Sequence, residues 1–207
     1  MKDELDILKE VGTIAAGHSS VALSEILDKK IILDVPSAEI ISAQRVPQSM
    51  TLEKLGIAVF FQLLVGLQGK VIFILDEKNA FRLIDLSYKI RDLKREPGII
   101  TEVSLSLIKE IGNIVVCAYL NALSLTLKRI IVPPLPTLLS GSLEDILQIV
   151  FSGYEEDYAY IIETSFKEPQ ESIQGFFYLI LTPEAAKDIR ESCKKLLEEI
   201  RRGQPPL

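Results

Sequence analysis

The sequence predicts an α+β fold, a pseudo-two-fold pair of helix-plus-antiparallel-sheet units that share one core. Three observations predict it. Residues 5–36 laid over 105–136 without a gap match at Leu5, Lys9, Glu10, Gly12, Ile14, Ala22, Leu23, Ser24, Leu27, Ile31 and Pro36, each repeated in kind one hundred positions on. Matching at that density is duplication, not chance patterning. Next, LQGKVIFIL at 67–75 matches IQGFFYLIL at 173–181 with an offset of 106 instead of 100, so six residues were gained in a loop of the second half. Third, both halves run through the same succession of helical and strand periodicities.

Each half opens on a long amphipathic helix, 3–28 and 102–128, where apolar residues recur at three- and four-residue intervals. A strand follows at 30–44 and 130–139, ended at a defined bend by Pro36 and Pro136. Then comes a hairpin, at 56–76 and 157–182, and a closing helix, at 77–90 and 183–201. Ile31–Val35 and Ile57–Val65 are apolar enough to be central strands. Residues 55–75 have nearly the length of a membrane span, but Gln62, Gln68 and Lys70 interrupt them, and glycines stand at 66 and 69. A charge near mid-bilayer costs about 2.5–3.5 kcal/mol, so two buried strands joined by a turn are the better reading. The seam falls near RDLKREPG at 91–98, which gives one domain over 1–207 built from repeats of 1–95 and 96–207. The tail RRGQPPL is expected to fray.

With 207 residues, 48% of them hydrophobic, the chain can bury one substantial core. A net charge of −6 and a pI near 5.0 argue against a nucleic-acid partner, because phosphate backbones are bound by Lys and Arg clusters. The densest basic runs, Arg91 to Arg95 and Arg201-Arg202, are short. Two cysteines, Cys117 and Cys193, make no disulfide framework, and the start MKDELDILKE lacks the apolar stretch of a signal peptide. A cytoplasmic monomer with no membrane attachment is the expectation.

At 100° per residue, Ser106, Glu110, Asn113 and Cys117 fall within about 60° of one another, with Ile108, Ile111, Val115, Ala118 and Ala122 toward the other side. Asp6, Glu10, Thr13 and Gly17 form the matching stripe on the first helix. Both polar stripes should face solvent. Gly12 and Gly112 cost about 1 kcal/mol each relative to Ala inside a helix. Either the helix packs closely onto the sheet there, or a partner's backbone approaches.

Ser106, three residues, Glu110, two residues, Asn113, twenty-two residues, Pro136 is a long spaced pattern, and Asp6, Glu10, Thr13 and Pro36 repeat its spacing. It resembles the signature of the CheC, CheX and FliY family of chemotaxis phosphatases, which is Asp or Ser, three residues, Glu, two residues, Asn, twenty-two residues, Pro. The resemblance covers essentially the whole chain, and the length and two-fold repeat are those of CheC. It implies hydrolysis of the aspartyl phosphate on phosphorylated CheY, the response regulator that biases the flagellar motor. An acyl phosphate needs a water placed in line and charge neutralised on its oxygens, and a carboxamide suits that task, because it both accepts and donates. Asn113 takes that part. Glu110, one turn away, is expected to clamp a Lys of the regulator. The resemblance leaves Mg²⁺ to the regulator's own acidic residues, so no metal site or cofactor is expected in this chain.

Thr13 has no amide and is shorter, so the Glu10 face departs from the pattern at its central residue and reads as a weakened or vestigial site. Position 18 departs as well, with His18 where CheC-like sequences tend to have Asn. GTIAAGHS at 12–19 has the spacing of a phosphate-binding loop, but His18 replaces the required Lys and no strand precedes it. Cys117 has no acid–base partner in the sequence and reads as a small semi-buried residue. Two further readings stand beside the phosphatase: a non-catalytic module that binds phosphorylated CheY or the deamidase CheD, which the resemblance supplies as a partner, and a structural adaptor at the flagellar switch.

Overall fold

The structure is a computed structural model and describes residues 2–42, 54–90, 98–152 and 157–201. In chain order the elements are α1 (Lys2–Leu27), β1 (Ile32–Ser42), β2 (Leu55–Leu63), β3 (Gly69–Asp76), α2 (Glu77–Ile90) and α3 (Glu102–Leu127). They continue as β4 (Thr137–Ser142), α4 (Leu143–Phe151), β5 (Tyr158–Glu168), β6 (Ile173–Leu181) and α5 (Pro183–Arg201). Local signals recur at equivalent places. Asp28 (φ 47°) and Lys128 (φ 49°) turn left-handed at the ends of the long helices, and the amides of Lys29 and Arg129 reach back to the Ser24 and Ser124 carbonyls at 3.2 and 3.0 Å. Asp76 caps α2 through the Asn79 amide at 2.8 Å, and Thr182 caps α5 through the Ala185 amide at 3.2 Å, again 106 residues apart.

The strands form one antiparallel sheet in the order β1-β5-β6-β3-β2-β4. Exchanging equivalent strands of the two halves reverses that order, as a pseudo-two-fold axis between β6 and β3 requires. Each half's first strand, however, pairs with the other half's hairpin. β1 lies on β5, with Ile32 opposite Lys167, and β4 lies on β2, with Ser142 opposite Leu55. The halves interlock.

α1, α2, α3 and α5 cover one face of the sheet, over a core that includes Leu8, Val11, Leu23, Val59, Phe73, Val115, Leu120 and Phe177. On the other face α4 sets Leu143, Ile146, Leu147 and Val150 on Ile72, Ile74, Tyr178 and Ile180. The buried Lys70 amine ends α4 by donating to the Val150 and Ser152 carbonyls at 2.7 and 2.8 Å. Residues 55–75 are thus the β2–β3 hairpin rather than a span. Among the described residues one helix, α3, has the length and hydropathy to cross a membrane, but half of its most apolar window is buried against this core.

Four expectations are corrected. β1 is an edge strand, paired with β5 alone, and its alternation of buried Ile31, Leu33 and Val35 with exposed Ile32 and Asp34 shows one covered face rather than two. β2 does pair on both sides but stops at Leu63, with Leu64 and Val65 exposed in the turn. Pro36 does not end β1. The ladder slips between Asp34 and Ser37 and resumes to Ser42, so the missing N–H is absorbed by a bulge. In the second half no strand forms over 130–136, where Pro133, Pro134 and Pro136 have no ladder donors, and β4 begins at Thr137. α4 was not expected at all. Segment 43–53, the seam at 91–97 and the tail from 202 lie outside the described residues.

Candidate functional site

α1 and α3 pack on one another and on the sheet, and each turns its polar stripe outward. On α3, Ser106 and Glu110 are exposed and Asn113 and Cys117 half-buried, while Ile108, Ile111, Val115 and Ala122 are buried and Ala118 is half-buried. On α1, Asp6, Glu10, Thr13 and Gly17 are all exposed. The stripes therefore assemble as the helical wheel requires. Pro136 lies at the entry to β4, and Pro36 at the bulge of β1.

What holds these faces at a fixed height is glycine. Gly12 and Gly112 are buried. A Cβ on Gly112 would stand 2.6 Å from Val59 Cγ2 and 2.8 Å from its Cβ, and one on Gly12 would stand 3.0 Å from Ile162 Cγ2 and 3.2 Å from the Tyr119 hydroxyl. Close packing onto the sheet is thus the reason for both, and approach of a partner's backbone at these positions is ruled out by burial. Each helix rests on the other half's hairpin.

The two faces differ in where their central side chains are committed. The Thr13 hydroxyl donates to the Lys9 carbonyl at 2.8 Å, so its proton is held by the helix backbone. Asn113 is held at its other end: the Cys117 thiol donates to Oδ1 at 3.5 Å, which leaves the Nδ2 donors out of that contact. Burial raises the Cys117 pKa, so at neutral pH the thiol carries the proton that it donates. Neither contact was read from the sequence, although both follow the four-residue spacing that brings side chains together on a helix.

His18 is exposed within the unbroken α1, so residues 12–19 form no phosphate-binding loop. Among the described residues no group of three or more His, Cys, Asp or Glu could hold a metal ion. A shallow groove elsewhere is lined by Glu4, Tyr158, Tyr160, Lys187 and Arg190. There the Tyr160 hydroxyl donates to Glu4 at 3.0 Å and Arg190 pairs with the same carboxylate at 3.4 Å, tying α1 to β5 and α5. Burial, then the Glu4 contact, pushes the Tyr160 pKa up to about 12.

No protein-family model matches the chain. Over 192 residues it is 27% identical to CheC of Bacillus subtilis (strain 168), a CheY-P phosphatase, with 86% of this chain and 88% of that one covered. The crystal structure of Thermotoga maritima FliY has the same fold, with a TM-score of 0.75 at 22% identity over 94% of this chain and 98% of that one. A chain of the CheX–CheY–BeF3–Mg²⁺ complex from Borrelia burgdorferi follows it at a TM-score of 0.50 and 14% identity, covering 81% and 96%. In the spaced motif on its two stripes, its sequence relationship to CheC and its fold, the chain is similar to the CheC, CheX and FliY family.

Proposed function

We propose that this protein hydrolyses the aspartyl phosphate of a phosphorylated CheY-type response regulator, at the α3 face. The observation that carries the proposal is the half-exposed Asn113 carboxamide next to the exposed Glu110 carboxylate on one solvent-facing stripe, at the family spacing. The CheY-P phosphatase activity of the related CheC supports it, as does the likeness to the complex that holds CheX with CheY. In this reading Glu110 fixes the register by a charge-assisted hydrogen bond to a regulator lysine. Asn113 Oδ1 accepts from the attacking water, and Nδ2 donates toward the phosphoryl oxygens, so catalysis is positioning plus charge stabilisation. Magnesium belongs to the regulator's own acidic residues. On α1 the back-bonded Thr13 favours docking through Glu10 without hydrolysis.

The test is phosphate release from a phosphorylated CheY-type regulator with and without the protein. A rate above the regulator's own loss of phosphate supports the proposal. Binding without acceleration leaves a non-catalytic module for phosphorylated CheY or CheD instead. Glu110→Lys is expected to raise the Kd for the phosphorylated regulator on the order of tenfold and to change its salt dependence, measured by titration. Equal affinity would take Glu110 out of the interface. Thr13→Asn in an Asn113→Ala background is expected to return measurable hydrolysis, because Asp6, Glu10 and Gly12 already stand around it. Stability should move by less than about 0.5 kcal/mol on this exposed stripe. A variant that binds the regulator but adds nothing to its spontaneous rate would mean that Thr13 is not the only defect of the α1 face.

A further inference from the structure

We infer that Cys117 is a positioning residue for Asn113: its thiol, one turn on, fixes which end of the carboxamide faces the regulator. The inference rests on the phosphatase reading, and it adds a residue outside the spaced motif. The geometry is specific. A carboxamide can turn end for end about its last torsion, and the two orientations present opposite chemistry to a bound phosphoryl group. An S–H is a weak donor and a still weaker acceptor, so the Sγ at 3.5 Å favours Oδ1 as its neighbour over Nδ2. One lone pair of Oδ1 is then occupied, the other is left for the water, and both N–H donors of Nδ2 stay out of the contact.

The surroundings fit a fixed rather than a wandering contact. Cys117 is half-buried on the same stripe, and burial keeps the thiol protonated, as a donor must be. The other helix supplies a comparison within one molecule. Position 17 is glycine, with nothing within 4 Å of where its Cβ would stand, and position 13 is a threonine whose own hydroxyl is tied to the backbone. The face without the carboxamide is also the face without the thiol.

Two measurements on the whole protein test the inference. The S–H stretching band of Cys117 lies in an infrared window clear of other protein groups, and Cys193, on α5, gives an internal reference band. Asn113→Ala is expected to move the Cys117 band to higher frequency and leave the Cys193 band in place. No movement would overturn the contact. In steady-state turnover of a phosphorylated CheY-type regulator, Cys117→Ala is expected to lower kcat about three- to tenfold with KM unchanged, the size of one modest hydrogen bond. An unchanged kcat, or a rise in KM alone, would overturn the positioning role while leaving the phosphatase reading intact. A band that moves in Asn113→Ala, together with no activity in the wild-type protein, would instead remove the phosphatase reading, and the role with it, while the contact stood.

Discussion

Asn113→Ala is expected to slow dephosphorylation of the regulator about a hundredfold or more while leaving its affinity within about twofold. The separation of the two effects follows from the stripe. Asn113 is half-buried and Glu110, one turn nearer the N-terminus, is exposed; in the proposed mechanism the first contributes its amide to the reacting water and phosphoryl oxygens and the second supplies the docking charge. Truncation to Ala removes the Oδ1 to which the Cys117 thiol donates, a loss too small to unfold the helix, so a normal melting curve should accompany the inactive variant. Turnover at the wild-type rate would remove Asn113 from the chemistry and send the search along the stripe toward Ser106. A parallel fall in binding and rate would show that the amide acts in docking rather than on the water.

Gly112→Val is expected to destabilise the fold by about 3 kcal/mol, the upper end of what overpacking costs. That is a fall of about 6–12 °C in Tm for a domain of this size. Its Cβ would lie at 2.6 Å from Val59 Cγ2 and 2.8 Å from Val59 Cβ, both on the stiff, buried β2, so neither partner can swing away. Gly17→Ala sets the opposite sign as a control. It is exposed with nothing within 4 Å of the new methyl, and relief of the helical glycine should raise stability by about 0.5–1 kcal/mol. Thermal melts of the two variants side by side separate crowding from propensity. If both gained stability, the close approach of α3 to β2 would be wrong.

Much of this was legible in the chain. The four helices α1, α2, α3 and α5 and the two hairpins fall where the apolar periodicity sets them, because each has one face buried and one in water, which is what periodicity reports. The order of strands was not legible, since a run such as Ile31 to Val35 looks the same whether a second strand or a helix covers it. α4 has local signals in Ser142 and Asp145: the Ser142 hydroxyl accepts from the Asp145 amide at 3.1 Å, and apolar residues follow at 143, 146, 147 and 150. At nine residues it is too short for its periodicity to stand out. At the site, the residue types and spacing of Glu110 and Asn113 could be read directly. What Thr13 and Cys117 do with their protons could not, because a side chain that bonds four residues back and one that bonds a neighbouring amide leave the same letters in the sequence.

The interlocked strands explain why the half that carries Thr13 rather than a carboxamide is indispensable to the other. α3 rests its glycine on Val59 and Phe73, which belong to the first half, and β4 has no place in the sheet except beside β2. The α3 face therefore stands on β2 and β3 as its floor, whatever the α1 face does. The outward residues of α1 carry no such debt. The exposed Thr13 and His18 can be exchanged without disturbing that floor, while the buried Gly12, Leu8 and Val11 beneath them cannot.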